Sequence, residues 1–175
     1  VALGFVTWAT TALADEKPTT LLKYGDNKAD GKKSLAGTGQ MIRFELPSAS
    51  QQLRGLRLHG ARYGHPQPPD EEIEITITTS AAEDADIVHT EFIPYAKFTR
   101  GDSRWNTIKF EDRIEVPPEF WITLNFNAER TKGVYVSYDT STEGQHSRTG
   151  LPGTESREVD FDGDWMVQGL LTKGE

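Results

Sequence analysis

Glu72-Ile73-Glu74-Ile75-Thr76-Ile77-Thr78 is the stretch on which the fold class turns. Three isoleucines occupy every second position, with polar residues between them. Successive side chains of a strand point to opposite faces, so this rhythm describes a strand with one dry face and one wet face. Isoleucine and threonine also suit the pleated backbone, because their branched Cβ packs well there.

The same two-residue rhythm recurs on both sides. Ile42, Phe44 and Leu46 alternate with Arg43 and Glu45, and Leu56 and Leu58 with Arg57 and His59. Downstream, Ile108 and Phe110 alternate with Thr107 and Lys109, and Phe120, Ile122, Leu124 and Phe126 with Trp121, Thr123 and Asn125. Val134, Val136 and Tyr138 follow, then Trp165, Val167 and Leu171, and Ile87 to Tyr95 reads as a further extended run. Turn residues separate the runs: Gly37-Thr38-Gly39, Pro47-Ser48, Pro66-Gln67-Pro68-Pro69, Arg100-Gly101-Asp102, Pro117-Pro118, Lys132-Gly133 and Pro152-Gly153. Apolar residues at helical spacing do not persist for three turns anywhere, and Ala81 to Ala85 offers one helical turn at most. About eight to ten strands without intervening helices imply antiparallel pairing. One-sided strands must bury their dry faces against each other, so the expected fold is all-β, a two-sheet antiparallel β-sandwich of jelly-roll type.

The chain has 175 residues with 19 Lys and Arg against 27 Asp and Glu, a net charge of −8. That balance lacks the basic footprint that nucleic-acid phosphates require. There is no cysteine, so disulfides, zinc–thiolate sites and thiol nucleophiles are excluded, as is a lipobox anchor. Val1 to Ala14, VALGFVTWATTALA, is uncharged and ends in the small-x-small pattern Ala12-Leu13-Ala14 before Asp15-Glu16-Lys17. It reads as part of an export signal and is too short to span a bilayer. The expected division is 1–14 as partial signal peptide and 15–175 as one β-sandwich domain, secreted or periplasmic, with no membrane insertion of the mature chain.

Several short motifs carry a resemblance. Tyr24-Gly25-Asp26-Asn27-Lys28-Ala29-Asp30-Gly31, Gly37-Thr38-Gly39-Gln40-Met41-Ile42-Arg43-Phe44, Gly60-Ala61-Arg62-Tyr63-Gly64, Lys132-Gly133-Val134-Tyr135-Val136 and Gly163-Asp164-Trp165-Met166-Val167 are similar to segments of uncharacterised bacterial exported β-sandwich domains. Such domains resemble the galactose-binding-like and carbohydrate-binding-module jelly rolls. The resemblance spans about residues 20 to 172 and implies a binding role, with no catalytic residues to transfer.

Three constellations bear on function. Asp26, Asn27 and Asp30 beside Gly31, and Asp162 and Asp164 beside Gly163, place hard oxygen donors on turns. If the first and last strands are neighbours, the two turns would meet and share a structural calcium; otherwise they are solvated turns. Second, parity sends Trp121, Trp105 and Tyr135 away from the core, with Asn125 and Lys109 nearby. Outward rings give sugar C–H faces a stacking platform, or pack under a crossing loop or a partner. Third, Arg62, Tyr63 and His65 open a proline-stiffened polar loop that would border a cleft, or serve as a rigid connection.

Catalytic signatures are missing. His59, His65, His89 and His146 show no HxH or HExxH spacing, and GxSxG and Walker A patterns are absent. The expected function is therefore non-catalytic binding of a glycan or other extracytoplasmic ligand. The alternatives are a structural or protein-interaction domain using the rings as an interface, and an exported hydrolase whose carboxylate pair only geometry would reveal.

Overall fold

A computed structural model describes residues 20–173. The expected export segment, residues 1–14, lies outside the described residues. Thirteen strands are described in chain order: β1 (Thr20–Leu22), β2 (Gly31–Lys33), β3 (Gln40–Glu45), β4 (Gln51–Gly64), β5 (Glu72–Thr78), β6 (Ile87–Pro94), β7 (Arg104–Ile114), β8 (Glu119–Asn125), β9 (Lys132–Asp139), β10 (Ser147–Thr149), β11 (Arg157–Glu158), β12 (Asp164–Trp165) and β13 (Val167–Lys173).

All pairings between them are antiparallel, and they form two sheets. The first contains the path β2-β9-β4-β7 and the second the path β3-β8-β5-β6. Following the chain, β2 lies in the first sheet, β3 in the second, β4 in the first, β5 and β6 in the second, then β7, β8 and β9 alternate again. That alternation over eight strands in two four-stranded sheets is the jelly roll expected from the sequence. The remaining strands extend it: β13 joins β4 and β1, β12 joins β9, and β10 and β11 add to the β3 edge.

The alternation in sequence becomes the core. Ile73, Ile75 and Ile77 of β5 are fully buried, as are Leu56 and Leu58 of β4 and Phe120, Ile122 and Leu124 of β8. Each such side chain contributes roughly 1.5–3 kcal/mol on leaving water. Ala81 to Ala85, where the sequence offers one helical turn at most, forms a turn closed by the Ala85 N–H on the Ala82 carbonyl. It is mostly exposed and has no apolar face to dock, so nothing repays helix nucleation. A 3-10 turn instead covers Tyr95–Lys97, where the Tyr95 ring is buried and its hydroxyl donates to the Phe126 carbonyl.

Parity now fixes both outer faces. In the first sheet, Arg57, His59, Ala61 and Tyr63 point outward, in register with Thr107, Trp105, Tyr135 and Gly133. In the second sheet, Arg43 and Met41 point outward beside Trp121 and Thr123.

Candidate functional site

The three rings expected on one face are divided between two. Trp105 and Tyr135 lie on the outer face of the first sheet, whereas Trp121 lies on the outer face of the second, across the core. Trp121 is also buried, only 8 % exposed, so the expectation of a bare platform there is corrected. Its outward direction is as parity dictates. The burial comes from the segment between β9 and β12, which folds back along β3 through β10.

Trp121 thereby becomes part of a groove of about 580 Å³. Arg43 stands beside it in register on β3, and Arg148 of β10, Glu143, Gln145, Glu158, Phe161 and Asp162 complete the lining. Ser156 accepts from Arg148 Nε at 2.9 Å and offers its carbonyl to the same guanidinium at 3.1 Å. Arg43 reaches Glu119 at 3.5 Å and Glu45 only at 3.9 Å, while its Nε is buried without a hydrogen-bond partner. A buried guanidinium N–H without an acceptor is an unmet demand that a ligand oxygen would satisfy.

The groove walls are tied together behind the lining. Asp164, 1 % exposed, accepts from the His146 backbone N–H at 2.9 Å and faces its Nδ1 at 3.1 Å. The His146 ring stacks on Tyr24 with centroids 3.6 Å apart, and the Tyr24 hydroxyl donates to the Arg43 carbonyl. Burial pushes the Tyr24 phenol up to about 12. Phe161 stacks on Tyr138 at 4.0 Å and meets Trp165 edge-on at 4.8 Å, and Trp165 Nε1 donates to the Arg148 carbonyl. Aromatic stacking and a buried carboxylate therefore hold the groove in shape without a ligand.

The other expected residues disperse. Tyr63 and Lys109 share the first sheet's outer face with Trp105 and Tyr135. Asn125 sits on the second sheet's outer face, where its Oδ1 accepts from the Asn127 N–H at 3.1 Å. Arg62 is corrected from ligand contact to structural support: it is 5 % exposed and donates to the carbonyls of His65 and Pro66 at 2.6 and 2.8 Å. It thus clamps its own proline loop, because three carbonyls there have no strand partner to bond. His65 is exposed beside Glu71, Glu129 and Lys132, away from the groove residues.

Both acidic turns reach Asp139: the Asn27 N–H donates to its carboxylate, and Asp164 pairs with it in register. Their oxygens take protein donors. Asp139 accepts from the Asn27 N–H at 3.0 Å and from the Ser141 N–H and hydroxyl at 2.8 and 2.6 Å. Asp30 accepts from the Thr140 N–H and hydroxyl at 2.7 and 2.8 Å, Asp26 from the Lys28 N–H at 2.9 Å, and Asn27 Oδ1 from Gln168. The Lys28 N–H bond, joined by the Lys28 ammonium, holds the Asp26 carboxyl below its usual range. No three carboxylates or imidazoles converge among the described residues. Of the five oxygen donors expected at the ion, Asp162 instead lines the groove.

The groove was missed because its lining is discontinuous. Arg43, Arg148, Glu143, Glu158 and Phe161 come from β3, β10, β11 and irregular segments, and only Trp121 and Asp162 carried a signal in the sequence.

No family model matches the chain, and no curated protein sequence matches it. Among the solved structures that share its fold are two of one clostridial protein. One holds the cysteine protease and lectin-like domains of Cwp84, a surface layer associated protein of Clostridium difficile, with a TM-score of 0.54 and 10 % identity over 82 % of this chain and 34 % of that one. The other is a clostridial cysteine protease Cwp84 variant after propeptide cleavage, with a TM-score of 0.54 and 11 % identity over 89 % of this chain and 40 % of that one. At that identity the likeness is one of fold, and the chain spans about a third to two fifths of those proteins. No helix among the described residues is long and apolar enough to cross a membrane.

Proposed function

We propose that the protein is an exported, non-catalytic binding domain that takes a short oligosaccharide in the Trp121 groove. The observation that carries this reading is an indole recessed among planar hydrogen-bonding groups, with the buried Arg43 Nε lacking a partner. A pyranose presents an apolar C–H face and a rim of hydroxyls. The ring serves the first, and Arg43, Arg148, Gln145 and the carboxylates serve the second. Two guanidiniums and three carboxylates line the groove, which favours an uncharged sugar over a strongly anionic one. The likeness of fold to chains that include a lectin-like domain supports the same reading, because an all-β sandwich suits the lectin-like part of such a chain better than a protease. Export rests on the apolar segment 1–14.

A glycan array followed by calorimetry on any neutral oligosaccharide retained is the test. Arg43→Gln and Trp121→Phe keep the groove filled, and each is expected to weaken binding about tenfold or more, equivalent to about 1.4 kcal/mol. Trp121→Ala is expected to abolish binding. Retention of no neutral glycan, or an affinity that ignores all three substitutions, refutes the assignment.

A further inference from the structure

We infer that the outer face of the first sheet is a second binding surface, for an acidic polysaccharide of the polyuronate type. The argument starts from the charge of the outward positions. Around the run Gly55 to Tyr63 of β4, these positions carry the cations Lys32, Arg57 and Lys109, with the His59 imidazole among them. Within that run the acid on the face is Asp139, 2 % exposed and bonded to N–H and hydroxyl donors, and the exposed Glu111 follows Lys109 at the far end of β7. Lys32 and Arg57 make the middle of the strip positive on a protein whose net charge is −8, which makes it complementary to a polyanion.

The cations are interleaved with rings. The Arg57 guanidinium lies 5.0 Å from the Trp105 centroid, and Lys32 Nζ lies 5.2 Å from that of Tyr135. His59 meets Trp105 edge-on at 5.3 Å, and Tyr63 meets Tyr135 at 4.7 Å. Ala61, in register with Tyr135 and buried, sits between the two clusters. Arg57 also donates to the neutral Gln168 Oε1 at 3.3 Å, a contact that orients its charge without cancelling it. From residue 57 to residue 63 the strand advances ~20 Å at ~3.3 Å per residue, room for several sugars in line. A polyuronate offers carboxylates to Arg57 and Lys32 and ring faces to Trp105 and Tyr135. An acidic protein offers the charges without the pyranose faces.

The full chain is titrated by calorimetry with polygalacturonate, with a neutral galactan and with polyglutamate. Polygalacturonate is expected to bind, with affinity falling at least about tenfold as NaCl rises from about 0.05 to about 0.5 M, because exposed charges are screened. The pair Lys32→Gln with Arg57→Gln, which alters only exposed or half-buried side chains, and separately Trp105→Ala, are each expected to weaken binding by about tenfold or more. Trp121→Phe, in the opposite sheet, is expected to leave it unchanged, so loss of the groove reading does not carry this one with it. The inference is overturned if polygalacturonate fails to bind at low salt, if polyglutamate binds as tightly, or if the Trp105 and charge variants bind like the wild type.

Discussion

His59 shows how one residue ties the first sheet's outer face to pH. Its Nδ1 lies 2.9 Å from the Ser137 hydroxyl, and its ring is packed against Trp105. Burial lowers its pKa below the ordinary histidine value, since the imidazolium loses more hydration than it regains. The sign follows from proton counting. Between the lowered folded value and about 6.5, the unfolded chain binds more protons than the folded one, so stability rises with pH across that window. The contribution is present above about pH 6.5 and is lost as pH falls through the folded value. Urea midpoints for the wild type and His59→Gln, each at about pH 8 and about pH 5, check this. The advantage of the wild type over the variant is expected to shrink at the lower pH. A constant difference would show that the imidazole is already as well solvated as in the unfolded chain.

At the scale of elements, the groove depends on how β10 and β12 are joined. Asp164 opens β12 and accepts from the His146 N–H immediately before β10, while the Ser147 hydroxyl accepts from the Trp165 N–H at 2.8 Å. Asp164→Ala leaves that amide without its partner in a buried setting. The expected loss is about 1–3 kcal/mol in urea unfolding, together with weaker glycan binding as the wall carrying Glu143 and Gln145 loosens. Unchanged stability would mean that the stacking of His146 on Tyr24 alone secures the wall. These elements were the ones least legible in the sequence. Ile73, Ile75 and Ile77 announce β5 because a half-buried strand must alternate, and parity correctly sent Trp121 to an outer face. Ser147 to Thr149 and Asp164-Trp165 are too short to show any period, so the cover they place over Trp121 had no pattern to read. The acidic turns misled for a related reason: Asp26, Asn27 and Asp30 have a composition that suits an ion and a loop latch equally. Only the Thr140 N–H that donates to Asp30, and the Ser141 hydroxyl that accepts from the Asp26 N–H, distinguish the two.

At the scale of the whole molecule, the jelly roll separates the two surfaces by its full thickness. The groove lies on the outside of the second sheet and the cationic strip on the outside of the first, with two packed sheets about 10 Å apart between their backbones. The intervening layer is close-packed aliphatic and aromatic core, including Leu56, Leu58, Ile122 and Leu124, all fully buried. Such a core offers no second arrangement through which one surface would bias the other, and coupling needs two states that the ligands favour unequally. The two ligands are therefore expected to bind independently. Saturating the groove with a neutral oligosaccharide should change the affinity for polygalacturonate by less than about twofold, measured by calorimetry in both orders of addition. A fold of this kind would hold a neutral and an acidic polymer at once, on opposite sides, and act as a bridge between them. Mutual exclusion of the two ligands would instead place both on one surface, and the division of Trp105 from Trp121 by the core would lose its functional meaning.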